Sequence, residues 1–215
     1  MKVFVVHYKK LVKRKETILS QFAKFGITDY EFVDIDRSEI HNYDLSKFQD
    51  LNNAGAIAVH LSHYYIYKEI ASKYQEALIF EDDVIMSVDF IEQFAQYYHE
   101  LVTKYPHFDM LFLGNGCNLH ITPDKIIEGK HIYYKSCEPT SWGGNGVTRC
   151  VDSYLVSNKC AKKLCQYIDN DTVYKYGVDF HLNKIAREIG LEVYWAEPTI
   201  IYQSSENDPN DSRSY

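Results

Sequence analysis

No apolar stretch in this sequence approaches the length needed to cross a membrane, and the strand-like run at residues 2–6 is too short for the apolar part of a secretion signal. The expectation is a chain without a transmembrane segment, working in the cytoplasm. Basic residues are in deficit: 23 Lys and Arg stand against 30 Asp and Glu, a formal net charge of −7. Neutralising a polyanion needs a concentrated basic face, so nucleic acid is not an expected partner. Cysteine is scarce and odd in number. Cys117, Cys137, Cys150, Cys160 and Cys165 include no C-x-x-C pair, so neither a zinc ribbon nor a disulfide framework is indicated. No internal repeat and no linker-like segment divides the chain.

What is present is a globular composition, 46% apolar and 25% charged, with 19 Tyr among 215 residues. A tyrosine ring with its hydroxyl suits a wet cleft lined for sugars or bases, and the excess is equally compatible with a Tyr-rich genome. Hydrophobic periodicity alternates between strand and helix. Residues 3–6 read as a buried strand, and Leu11, Ile18, Phe22 and Phe25 share a helix face that Gly26 ends. Residues 30–35 form a second strand, and Ile57, Leu61, Tyr64 and Tyr65 recur at helical spacing. Residues 77–80 form a third strand ending in Glu81-Asp82-Asp83, with a helix beyond it that Ser87 caps, and residues 109–113 form a fourth. Residues 114–149, punctuated by glycine and proline, read as a long loop or insertion. Order then resumes with a strand at 151–156, a helix capped by Asn158, a helix carrying Leu182, Ile185 and Ile189, and a last strand at 191–195. This alternation predicts an α/β sheet with crossover helices over residues 1–204 and a polar tail at 205–215.

Composition alone gives about 0.6 acidic triplets in such a chain, so Glu81-Asp82-Asp83 matters for its place rather than its rarity. It follows a buried strand, and open α/β sheets bind ligands outside the carboxyl ends of their strands. Two carboxylates there can hold Mn²⁺ or Mg²⁺, hard cations that accept oxygen ligands and keep positions open for substrate phosphates. A solvated turn is the plain alternative. Asp34-Ile35-Asp36 is a second acidic pair at a strand end, able to bind a metal, accept from a ribose or base, or form an Asx turn. His60 and His63 share a helix face, as metal ligands or as a packed pair. Gly143-Gly144-Asn145-Gly146 lacks the lysine and frame of a phosphate-binding loop.

The residues also carry a resemblance. Val6 to Arg14 resembles the strand-then-Arg opening of glycosyltransferase family 25, the group that includes lipooligosaccharide galactosyltransferases and collagen β-galactosyltransferases. His7 and Tyr8 stand where Asn and Leu are usual. Gly55 to His63 is similar to that family's G-x-x-G-C-x-L-S-H helix, with Ala58 and Val59 in place of Gly and Cys, and residues 77–84, ALIFEDDV, resemble its apolar strand with E-D-D-V. Tyr154-Leu155-Val156-Ser157, Val178-Asp179, Pro198, Gln203 and Ser204 follow in the family's order.

The resemblance implies a single GT-A-type, Rossmann-like domain with a mixed, mostly parallel sheet. It implies an inverting, metal-dependent hexosyltransferase moving galactose or glucose from a UDP-sugar to a hydroxyl of a glycan or glycosylated acceptor. Glu81 and Asp83 are then the metal ligands, with Gln203 or water in the third position. Asp82 lies toward the ribose or donor sugar, Asp36 toward the uridine or ribose, and Arg14 near the diphosphate, unless Arg14 is a helix-surface residue. His63 orients the carboxylates or touches the nucleotide. Asp179 is the general base, or else an N-cap. Two other readings share the same carboxylates: a metal-dependent phosphoryl or nucleotidyl enzyme, and a non-catalytic sugar-binding relative.

Overall fold

The computed structural model describes residues 1–48, 51–137, 146–171 and 173–204. Glu138, Gly143, Gly144, Asn145 and the tail at 205–215 lie outside the described residues. Nine strands and five α-helices follow one another in the described chain: β1 (Lys2–Val6), α1 (Val12–Phe25), β2 (Tyr30–Val33), α2 (Ala54–Lys73), β3 (Glu76–Glu81), β4 (Val84–Met86), α3 (Phe90–Lys104), β5 (Met110–Phe112), β6 (Ile132–Tyr134), β7 (Ser153–Ser157), α4 (Asn158–Asp171), α5 (Val178–Glu188), β8 (Val193–Ala196) and β9 (Ile201–Gln203).

Seven strands form one sheet in the order β2-β1-β3-β7-β5-β8-β6. Strands β2, β1, β3, β5 and β8 run one way, while β7 and β6 run the other. The mixed, mostly parallel sheet expected from the sequence is therefore present.

The strand sequences read as unbroken apolar runs because both faces of the sheet are covered. Successive side chains point to opposite faces. Phe4, Val6, Ile79, Met110, Phe112, Tyr154 and Trp195 pack with Ile66 and Ile70 of α2, Leu164 of α4 and Ile185 of α5. Val3, Val5, Leu78, Phe80, Leu111 and Leu155 face the other way, onto Ile18 and Phe22 of α1 and Tyr97 and Leu101 of α3. Helix α1 ends as its sequence predicts, at Gly26 with φ 67°, where a side chain would be strained.

Three local expectations need correction. No helix follows the acidic triplet directly: β4 intervenes and pairs with β9, setting Val84 opposite Gln203. Helix α3 then starts at Phe90 with Asp89, not Ser87, at its N-cap. Asn158 does not cap α4. Its Nδ2 donates to the carbonyls of Ile70, Ala71 and Tyr74 and so closes the end of α2, while the Cys160 amide donates to Ser157 Oγ. The stretch at 114–149 also contributes β6, which a three-residue apolar run is too short to announce.

Candidate active site

The carboxyl ends of β1 and β3 and the starts of α2 and α5 enclose a cavity of about 410 Å³. Glu81, Asp82 and Asp83 line it with His7, Tyr8 and Arg14 from the β1–α1 connection, and Asp179 joins them from the first turn of α5. Gly55, Ala56, Val59 and Ser62 of α2 form a small-residue wall, and Gln203 comes in through the β4–β9 pair. Two helix N-termini thus open on the same space; Asn53 Oδ1 accepts from the Ala56 amide at the first and the Asp179 carboxylate accepts from first-turn amides at the second, so what faces the cavity is the positive end of each helix dipole.

The acidic turn is held by backbone as well as by charge. Glu81 N–H donates to the Asp152 carbonyl at 2.7 Å, and Ser204 N–H donates to the Asp83 carbonyl at 2.8 Å. Asp82 is buried and engaged: Arg14 Nη1 donates to its Oδ1 at 2.9 Å, and His7 Nδ1 lies 2.7 Å from its Oδ2. An ionised carboxylate only accepts, so the His7 proton sits on Nδ1. Arg14 Nη1 also lies 3.7 Å from Asp83 Oδ2. The arginine therefore stands at the site, as one of its two sequence readings has it, with its charge directed to the triplet.

Glu81 feels the gathering directly. Burial, followed by the negative charges of Asp83, Asp152, Asp82 and Asp179, holds its carboxyl well above the ordinary range. Burial also raises Asp179, against the lowering effect of amide hydrogen bonds from Phe180 and from Asp179 itself. The N-cap of α5 is Gly177 rather than Asp179. Among the described residues no three His, Cys, Asp or Glu side chains form a ready-made metal cage. The donor chemistry still fits a hard cation, because crowded carboxylates that resist ionisation are relieved by divalent charge, and Mg²⁺-type ions take one or two carboxylates plus substrate phosphates.

Two expected residues lie apart from the cavity lining. Asp36 is buried, with Lys9 Nζ at 2.6 Å and the amide and hydroxyl of Ser38 donating to its Oδ1. Lys9 and then Ser38 hold its pKa far below the usual carboxylate value. Its neighbours Ile35 and Arg37 reach the cavity instead, and the Arg37 guanidinium lies 3.9 Å from the centre of the Tyr8 ring. His63 is buried in the sheet-facing side of α2, with Nδ1 2.7 Å from the Tyr154 hydroxyl, and burial pushes its pKa down to about 3. His60 donates to the Tyr176 carbonyl and packs beside His181, which supports the packed-pair reading over metal ligation.

The sequence model of glycosyltransferase family 25, described as an LPS biosynthesis protein, matches residues 1–182. The chain belongs to glycosyltransferase family 25. It is a glycosyltransferase. None of the curated proteins matches it.

Among solved structures, this family 25 chain is similar to a glycosyltransferase involved in glycosylation of the major capsid of PBCV-1. Identity is 11%, 94% of this chain and 93% of that one are covered, and the TM-score is 0.52. That likeness shows the fold, which is of the GT-A type. Looser likenesses are to the galactosyltransferase LgtC, solved with donor and acceptor sugar analogues (10% identity, 91% and 73% covered, TM-score 0.43), and to the Drosophila β1,4-galactosyltransferase 7 mutant with manganese, UDP-Gal and xylobiose (13%, 92% and 65%, 0.43).

Several cavity residues of the family 25 chain have no site role in the sequence reading: Tyr8 and the small residues of α2, which belong to its motifs, and Arg37, Cys117 and Cys150, which belong to none. Tyr8 follows β1 directly, so the strand-end rule that singled out Glu81 to Asp83 also covers it. Cys117 lies in the glycine-punctuated stretch and Cys150 directly after it, where no periodicity marks them.

Proposed function

We propose that this family 25 enzyme moves a hexose, galactose or glucose, from a UDP-sugar to a hydroxyl of a glycan acceptor in one inverting step. One observation carries the reading: five carboxyl groups converge on the carboxyl end of β3, four of them raising the pKa of Glu81, at a cavity where two helix N-termini also open. A wall so acidic cannot take a diphosphate unaided, which argues for a divalent cation between them. Glu81 and Asp83 would hold Mn²⁺ or Mg²⁺, with Gln203 or water beside them. When bound, the ion supplies positive charge against the charge that develops on the leaving diphosphate.

The chain's own residues do the rest. His7 and Arg14 fix Asp82 and with it the turn that carries Glu81 and Asp83. Tyr8, backed by Arg37, offers a ring face to the uracil or ribose. The positive ends of α2 and α5 favour the diphosphate over a neutral ligand. Asp179 takes the acceptor proton, and its raised pKa suits a group that must accept a proton from a hydroxyl.

The test is thermal stabilisation. UDP with Mn²⁺ should raise the melting temperature by mass action, while UDP in excess EDTA should not, and Asp83→Asn should remove the effect without unfolding the chain. Equal stabilisation with and without metal would overturn the metal-bridged reading.

A further inference from the structure

Cys117 and Cys150 both line the cavity, and their sulfurs lie 3.3 Å apart. They come from separate segments, Cys117 after β5 and Cys150 ahead of β7. Both have the left-handed backbone, φ 55° and 57°, that side chains other than glycine rarely adopt. Such conformations are unfavourable and persist where their surroundings enforce them.

The surroundings are identifiable. A Cβ on Gly116 would lie 2.4 Å from the Arg149 carbonyl oxygen and 2.8 Å from Cys150 Cβ, so glycine lets the two segments close on each other. Arg149, fully buried, pins the Cys150 side by donating to the carbonyls of Gly114 and Ala196 and to Glu197, with Trp195 under its guanidinium. The two thiols are therefore held together by groups that do not depend on either sulfur.

We propose that Cys117 and Cys150 are a reversible dithiol–disulfide site that a low-molecular-weight disulfide oxidises, and that the bond narrows the cavity. The thiolate of Cys117, the exposed member, attacks one sulfur of RS–SR and releases RS⁻. Cys150 then gives up its proton, attacks the Cys117 mixed disulfide and releases the second RS⁻. The chain loses two hydrogens, one RS–SR becomes two RSH, and excess thiol reverses both steps. Burial raises the Cys150 thiol, which fits the second, intramolecular role. Closing 3.3 Å to the bond length of about 2.05 Å draws the two segments together beside Glu81 and Asp179.

Formation of the bond stands apart from the transfer reading. Only its effect on the donor rests on that reading. The experiment incubates the native chain with oxidised glutathione, counts thiols, maps the cross-linked peptides, and measures binding of UDP with Mn²⁺ before and after reduction. Titratable thiols should fall from five to three, with Cys117 joined to Cys150. Cys150→Ser should halt at a glutathione adduct on Cys117. Oxidation should weaken UDP binding by about tenfold and reduction should restore it. Five unreacted thiols, a link between other cysteines, or an adduct that never resolves in the native chain would overturn the pair. A mapped link with unchanged UDP affinity would overturn the narrowing. A reduced chain that binds no UDP would sink the transfer reading, while the peptide map still decides the thiol site.

Discussion

His7 and Asp82, 75 residues apart in sequence, meet at adjacent strand ends with Nδ1 2.7 Å from Oδ2. Arg14 holds the other carboxylate oxygen, so a single side chain ties β1, α1 and the acidic turn together. Asp82→Asn keeps the shape and forfeits the charge that both partners face. It should cost about 1–3 kcal/mol, read as a fall in melting temperature. An unchanged melting curve would show that Asp82 anchors nothing.

Glu81→Gln should move stability and function in opposite directions. Its folded pKa is raised, so ionised Glu81 opposes folding: the penalty is absent below the ordinary value of 4.5 and grows as pH rises above it. The amide removes that penalty and the negative charge with it. The metal-free variant should therefore unfold at higher urea than the parent at pH 7.5 while losing metal-dependent UDP stabilisation. A less stable variant would contradict the crowding of like charges.

Acid should unfold the chain before its carboxylates alone would. Burial pushes His60 down to about 4 and His63 and His181 to about 3, against 6.5 when exposed. Depressed histidines contribute stability above pH 6.5 that is lost as pH falls toward 4 and 3, at about 1.4 kcal/mol per pH unit for each. Both ring nitrogens of His181 are buried without a hydrogen bond. His181→Phe should therefore leave stability at pH 7.5 unchanged or raised and flatten the slope between pH 6.5 and 4.5. Urea titrations across that range decide it, and an unaltered slope would count against the assignment.

Gly114→Ala tests the packing beneath the site. The added carbon would stand 2.0 Å from Asp152 Oδ2 and 2.6 Å from Ser153 Oγ, and Asp152 carries the carbonyl that receives Glu81 N–H. Overpacking of this kind costs about 1–3 kcal/mol, and the shift should reach the acidic turn. The expected result is a lower melting temperature together with weaker UDP binding. A wild-type melting temperature would mean that Asp152 is free to move.

Asp179→Asn separates acceptor chemistry from donor binding. A base acts on the acceptor, so transfer should fall by about 10²- to 10⁴-fold while affinity for UDP and Mn²⁺ holds. The N-cap is Gly177, so the helix start survives the change. Parallel loss of donor affinity would assign Asp179 to the donor side. Full activity would assign the proton elsewhere, and Asp152 is then a poor heir because it is fully buried.

The sequence by itself determined the alternation of strands and helices, the two-faced burial of the strands and the position of the acidic triplet. Each rests on local periodicity: unbroken apolar runs where both sheet faces are covered, helical spacing where one face is, and Gly26 where φ must be positive. Only the tertiary structure decided which side chains meet. Asp82 finds His7 because β1 and β3 are neighbours in register, Asp179 reaches the cavity because α5 begins there, and Cys117 faces Cys150 because Gly116 lets two loops close. It likewise turned Asp36 to Lys9 and His63 to Tyr154. Periodicity records whether a residue is buried, whereas its partner depends on strand order and register, set by contacts between segments far apart in the chain.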